Sequence, residues 1–300
     1  MSPIEILFPL IFIVLSGFIS AKINFIPSQQ LDGLRTFVFS LCIPTLLFTS
    51  MYQADLSSLA TSTLLLTFYL PVASCFIAVY ILLRRAVKTA KADAATLALA
   101  GTYSNTVLVG LPIILTALGK QAGAMVFMII TFHSAMLFSF TFLLATPKRN
   151  KLKVLKPLIL NPIVLSISGG LVFNYLGISL PKLLTQGLEW LAKPAIPGAL
   201  FILGANLVSY GVKGRLRSAL GLSFIKLLLL PGLVYCLAQV VGLPLLETQV
   251  ITLMSASPLG VNAYLVARQL DSQQPTLAAT VVLSTLLSMV SLTGWLYLII

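Results

Sequence analysis

The sequence predicts an all-α integral membrane protein of about ten transmembrane helices. They form a 5+5 inverted repeat with broken helices four and nine. Three observations predict this. The 300 residues are 58% hydrophobic and only 9% charged, with a mean hydropathy of +1.04. Lys and Arg concentrate in every second connection. The two halves of the chain match weakly but in order, and each carries a polar break inside an apolar span.

A span needs about 20 residues to cross roughly 30 Å of hydrocarbon. Ten are placed near 4–24, 31–52, 58–83, 93–118, 121–145, 157–176, 181–210, 217–241, 246–269 and 275–299. The first stretch, MSPIEILFPLIFIVLSGFISAK, lacks the basic leader and small-residue cleavage site of a signal peptide, so it reads as the first span. No span alternates as a barrel strand does. The whole of 1–300 is thus one membrane domain: a first five-helix repeat (1–145), a basic cytoplasmic loop (146–156) and a second, inverted repeat (157–300). Cys42, Cys75 and Cys236 fall inside spans without metal-ligand spacing. Nothing implies a cofactor or a metal.

Orientation follows from the basic residues. Lys22 and Arg35 follow span one, and Arg84, Arg85, Lys88 and Lys91 follow span three. The run PKRNKLKVLK follows span five; Lys213, Arg215 and Arg217 follow span seven; Arg268 follows span nine. Little beyond Lys120 and Lys182 lies opposite. The basic side is cytoplasmic, in a plasma membrane of bacterial inner-membrane type, and both termini face outward. The net charge of +12 is therefore a topology signal, with the lipid bilayer as partner. Short loops without interleaved aromatics exclude nucleic acid.

At an offset of 153, Pro9 falls on Pro162, Gly17 on Gly170, IPTLLF (Ile43 to Phe48) on IPGALF (Ile196 to Phe201), and YSN at 103–105 on ASP at 256–258. Five spans per half is an odd number, so the second half enters the membrane from the other side. Inverted repeats of this kind place a transport site near the midplane, where broken helices meet. The breaks are GTYSNTVLVGLP in span four and SASPLGVNAYLVA in span nine. A kinked, fully packed helix accounts for either alone; two at equivalent places point to a site.

A mid-helix proline removes a hydrogen bond and clashes with the preceding turn, at about 3 kcal/mol. Pro112 and Pro258 are accordingly expected in the first turn of a second half-helix, with Gly110 and Gly260 supplying unusual backbone angles as hinges. Each break exposes one helix N-terminus, suited to a carboxylate, and one C-terminus with free carbonyls. Ser104, Asn105, Thr106, Ser257, Pro258, Gly260 and Asn262 are the candidate substrate-binding residues. Supporting roles fall to Tyr103, to His133 as a core hydrogen-bonding group or proton relay, and to Lys226, which snorkels or biases the cavity toward anions. Glu189 and Lys193, four apart, are expected to pair. No unpaired acid lies in either break.

On IPTLLF, SNTVLVGLP, NPIVLSISGGLVFNYLGISLP, AIPGALFILGANL, KLLLLPGL, SPLGVNAYLVARQL and VVLSTLLSM, nearly the whole chain resembles the auxin efflux carrier family. That family includes bacterial malate and malonate permeases and plant auxin carriers. The resemblance implies a bile-acid-symporter-like fold in which broken helices four and nine cross, and a scaffold of helices 1, 2, 6 and 7. It also implies a mobile part of helices 3–5 and 8–10, elevator-type alternating access, a homodimer, and substrate at Asn105 and at Pro258–Asn262. The expected function is secondary transport of small organic anions such as malate, malonate or auxin-like acids, without enzymatic activity. Alternatives are a sodium-coupled organic-anion symporter, or a channel or sensor on the same fold. An intramembrane serine protease would have to pair His133 with Ser168, and nothing in the sequence brings them together. No phosphate-binding G-x-x-x-x-G-K-[ST] loop is present.

Overall fold

The computed structural model describes residues 3–53, 62–145, 162–209 and 216–300. Helix α1 is Pro3–Lys22. Helix α2 runs through Ser28–Phe37, a π-helical turn Val38–Cys42 and Ile43–Tyr52; α3 is Ser62–Arg85. Helix α4 is broken into α4a, Lys91–Thr102, and α4b, a π-helical turn Thr106–Gly110 continued by Leu111–Leu118. Then come α5 (Gly123–Ala145), α6 (Pro162–Tyr175) and α7 (Lys182–Ala192 with Ala195–Ser209). Helix α8 joins Leu216–Phe224, a π-helical turn Ile225–Leu229 and Leu230–Val241. Helix α9 is broken into α9a (Leu245–Ala256) and α9b (Asn262–Gln269), and α10 is Gln274–Ile299.

Each predicted span has its helix. Seven are long and apolar enough to cross a membrane uninterrupted. Helices α4 and α9 fall short because they are broken, and the described part of α6 begins at Pro162. The basic loop 146–156, with Lys213 and Arg215, lies outside the described residues.

The three π-helical turns share one cause. Each ends two residues before a proline: Pro44, Pro112 and Pro231. The residue just before the proline donates its N–H five residues back, Ile43 to Val38, Leu111 to Thr106 and Leu230 to Ile225. The widened turn takes up the bond the ring cannot make. In α8 the Leu227 carbonyl, which a residue other than proline at 231 would occupy, accepts instead from Trp295 Nε1 at 2.9 Å.

Helix α1 shows how a span divides between lipid and protein. Phe8, Phe12, Leu15 and Ile19 form an exposed apolar stripe, while Val14 and Gly17 face α7. A Cβ on Gly17 would collide with the Phe201 carbonyl, and one on Gly204 with the Val14 carbonyl. Between α6 and α2, a Cβ on Gly170 would likewise meet the Phe48 carbonyl. The Gly17–Phe201 and Gly170–Phe48 approaches exchange partners under the offset of 153. Small residues let membrane helices approach backbone to backbone, where dispersion rather than hydrophobicity holds them. Helix α1 lies along α7 and α2 along α6, while α3, α4a, α5, α8, α9a and α10 pack chiefly among themselves.

Candidate functional site

The two breaks cross. Ser104 and Leu259 face one another as an isolated antiparallel bridge. The Asn105 N–H donates to the Pro258 carbonyl at 2.8 Å, and the Gly260 N–H donates to the Tyr103 carbonyl at 3.2 Å. These two bonds exchange under an offset of 155, so the register at the crossing differs by two from that of the flanking helices. Extended backbone at this depth needs partners other than lipid, and each break supplies them to the other. Against the expectation of groups left free for ligand, part of both breaks is engaged in this pairing.

Side chains of α5 and α10 hold the remaining inner N–H groups. Ser104 N–H donates to His133 Nε2 at 2.9 Å, and Leu259 N–H donates to Ser284 Oγ at 3.1 Å. The His133 ring is fully buried and stacks on Tyr103 with centroids 5.1 Å apart. Tyr103 in turn shares a 2.8 Å hydrogen bond with Ser134 Oγ. His133 thus takes the core hydrogen-bonding role, as an acceptor at Nε2 for the crossing backbone.

Asn105 is engaged at one end of its amide only. Its Oδ1 caps α4b by accepting the Leu108 N–H at 3.3 Å. An N–H only donates, so this bond sets the amide's orientation. The Nδ2 donor is left buried with no partner among the described residues, and so is Ser104 Oγ.

A cavity of about 500 Å³ opens on the crossover. Tyr103 to Leu108 and Gly260 to Asn262 line its inner end, with Ile130 and Ser134 of α5 beside them. Phe39 and Ser40 of α2 and Asn206 of α7 form the facing wall. Its outer end carries Arg35 of α2 and Arg268 of α9b, both exposed, whereas Asn105 is 5% and Ser104 0% exposed. Arg35 is held by Asp32 Oδ1 at 2.7 Å and Asn206 Oδ1 at 2.6 Å. The cavity therefore runs from a neutral, donor-bearing floor to a basic rim.

Of the expected residues, Tyr103, Ser104, Asn105, Thr106, Gly260 and Asn262 line the cavity. Ser257 and Pro258 do not: Ser257 Oγ donates to the Leu253 carbonyl at 3.0 Å, and Pro258 contributes its carbonyl to the crossing. Neither proline starts a half-helix. Pro112 comes after the first turn of α4b, and Pro258 lies in the extended break ahead of Asn262. Gly110 adopts ordinary helical angles (φ −59, ψ −54). Its missing side chain is what matters, because a Cβ there would sit 2.9 Å from Met254 Sδ and 3.0 Å from Ser257 Oγ. At Gly260 a Cβ would strike the Tyr103 ring.

Lys226 is not a cavity residue; it is fully buried and donates to the Ser255 carbonyl. Glu189 accepts from Gln53 Nε2 at 3.0 Å, and the one ion pair among the described residues is Arg35–Asp32. Arg35, Arg268, Asn206 and Ser40 line the cavity, and sequence reasoning did not single them out as candidates. The available signal was the position of Arg35 inside α2, past the loop that a topology marker occupies.

A multi-pass helical bundle whose broken helices cross beside a polar cavity defines a membrane transport protein. Residues 3–296 match the family model described as "Membrane transport protein", and the chain belongs to that family, the auxin efflux carriers. It is 28% identical over 305 residues to a "Putative malonate transporter" of Rhizobium meliloti (strain 1021), covering 97% of this chain and 94% of that one. It is 24% identical over 298 residues to an "Uncharacterized transporter" of Methanothermobacter thermautotrophicus, covering 98% of each. A "Lysosomal cholesterol signaling protein" of Mus musculus is 27% identical over 270 residues, covering 83% of this chain but 30% of that protein.

Proposed function

We propose that this chain is a secondary carrier of small organic anions, with carboxylates, and dicarboxylates above all, as substrates. One observation carries the reading: the Asn105 Nδ2 donor, without a partner among the described residues, on the floor of a cavity whose rim bears Arg35 and Arg268. A buried donor without an acceptor is costly and calls for an explanation. A carboxylate oxygen supplies the missing acceptor, and the adjacent N-terminus of α4b favours its charge. A second carboxylate on the same molecule then meets the rim arginines, whose guanidinium forks suit carboxylate geometry. The name of the Rhizobium relative, a malonate transporter, is in keeping with a short dicarboxylate.

The transport cycle follows the same division. Arg35, Thr36, Phe39, Ser40 and Asn206 come from α2 and α7, and the rest of the cavity comes from the helices that pack with the crossover. In the proposed elevator cycle, α1, α2, α6 and α7 are a dimeric scaffold, and α3–α5 with α8–α10 carry the anion across. Each group takes helices from both of the oppositely oriented halves of the inverted repeat. Both rim arginines lie on the side that the positive-inside rule assigns to the cytoplasm, so the cavity is open inward. The membrane is of the bacterial inner type, with both termini outside.

Purified protein is heated with a panel of mono- and dicarboxylates, with and without sodium, because a ligand of the folded state raises its melting temperature. The expected result is stabilisation by short dicarboxylates, weaker stabilisation by monocarboxylates, and loss of both in Asn105→Ala. Stabilisation that requires sodium supports the sodium-coupled symporter instead. No shift with any acid rejects the anion reading and leaves the fold untouched.

A further inference from the structure

Lys226 is the one charged residue among the fully buried side chains of the described residues, and the anion cavity does not use it. It sits in the π-helical turn Ile225–Leu229, which packs on both α4a and α9a, the half-helices that end at the crossover. Ile225 and Leu222 of the same stretch of α8 lie 3.4 Å and 3.6 Å from where a Cβ on Gly101 would stand, one residue from the end of α4a. The ammonium donates to the Ser255 carbonyl in the last turn of α9a.

The end of a helix presents carbonyls without intrahelical partners and about half a negative charge. This end also carries hydroxyl oxygens. Ser255 Oγ bonds to the Thr252 carbonyl at 2.8 Å, and Thr252 Oγ1, fully buried, has no partner among the described residues. No carboxylate among the described residues pairs with Lys226. A buried ammonium whose only counter-charge among the described residues is a helix end stands where hard oxygen ligands suit a small monovalent cation.

We infer that the carbonyl end of α9a is a monovalent-cation site permanently filled by the side chain of Lys226, a tethered ion in place of a dissociable one. The two poles of the crossover are thereby divided. The N-terminus of α4b and its Asn105 cap face the anion cavity, and the C-terminus of α9a is neutralised from behind by Lys226. A tethered cation stays with the protein through every turnover, so no sodium or potassium binds and leaves at this point. Only the crossover geometry is needed for this, not the identity of the substrate.

The test is thermal unfolding of the full-length protein in detergent, without substrate, in sodium, potassium or choline chloride at equal ionic strength. The native protein should melt at the same temperature in all three. Lys226→Ala opens the site and should melt lower in choline. Sodium or potassium should recover part of that loss, on the order of 3 °C at ten times the dissociation constant. Lys226→Met fills the space without charge and should show no such recovery. Specific stabilisation of the native protein by sodium or potassium overturns the inference, as does a Lys226→Ala variant that melts alike in all three salts. Should neither variant fold, the native protein alone decides: indifference to all three salts upholds the inference, and radioactive sodium retained by it in a scintillation binding assay overturns it. Substrate is absent throughout, so failure here is distinguishable from failure of the anion-carrier reading.

Discussion

Asn105 offers a substitution that separates its cap from its proposed role as ligand donor. In Asn105→Asp the capping oxygen is kept, because Asp and Asn are near equals at a helix N-terminus. The Nδ2 donor becomes an acceptor with negative charge. Losing one hydrogen bond to a charged partner costs about 1.5–3 kcal/mol. At about 1.4 kcal/mol per tenfold, that is about 10- to 150-fold in affinity. Repulsion between the new carboxylate and the substrate places the variant at the upper end of that range or beyond it. Asn105→Ala removes cap and donor together. It should lose comparable affinity and in addition about 1 kcal/mol of stability, which is about 2–4 °C in melting temperature for a large domain. Titration calorimetry of a short dicarboxylate into purified protein measures the affinity, and unfolding without ligand measures the cap. Affinity within about threefold of native in Asn105→Asp, with the protein folded, would mean that Nδ2 is not the anion's donor, and the site would have to be sought elsewhere in the cavity.

The rim gives a second prediction: Arg35→Gln or Arg268→Gln should weaken dicarboxylates about tenfold or more while changing monocarboxylates little, read as the ratio of the two in competition uptake. Glycine contacts give a third. Gly204→Ala sets a methyl against the Val14 carbonyl and should cost about 1–3 kcal/mol, seen as lost yield and melting temperature. Gly33→Ala, with open space around it inside α2, should be neutral or stabilising by up to about 1 kcal/mol in the same assay. Trp295→Phe should leave the Leu227 carbonyl unpaired, at a cost of about 1–3 kcal/mol in thermal unfolding, with anion selectivity unchanged.

The helical spans are legible because lipid leaves a chain few options: long apolar runs must be helices, and polar residues within them need a reason. GTYSNTVLVGLP and SASPLGVNAYLVA declared the breaks by that rule, and Asn105 and Asn262 stand at the cavity as the rule implies. Pro112 was a less faithful guide, because a proline marks strain without saying how it is relieved. Near Pro112, Pro44 and Pro231 a widened turn accommodates the ring, and the break in α4 occurs earlier, at Tyr103–Asn105. Gly110 keeps ordinary helical angles and is a close-packing position, which depends on where Met254 and Ser257 lie in space. Arg35 and Arg268 were masked by a rule that explains basic residues at cytoplasmic ends equally well. Only the cavity shows that the same side chains line a polar pocket.

That overlap bears on how such a site handles charge. In the proposed carrier an anion drawn toward the basic face meets the rim first, and Arg35 is already partly satisfied by Asp32 and Asn206. A fully unpaired arginine would bind a carboxylate tightly at the rim and hold it there. A shared one attracts without trapping, which conduction through any charged site requires. Further in, the floor carries no formal charge: Asn105 and Ser104 offer neutral polar groups, and the helix end beside them only a partial charge. The attraction is thus graded, strongest where water still screens it and modest where desolvation of the anion must be matched. On this reasoning, replacing Asn105 with lysine should be worse for turnover than for binding. The dicarboxylate would bind at least as tightly while its counterflow exchange slowed, and parallel losses in both would show that the floor's neutrality has no part in release.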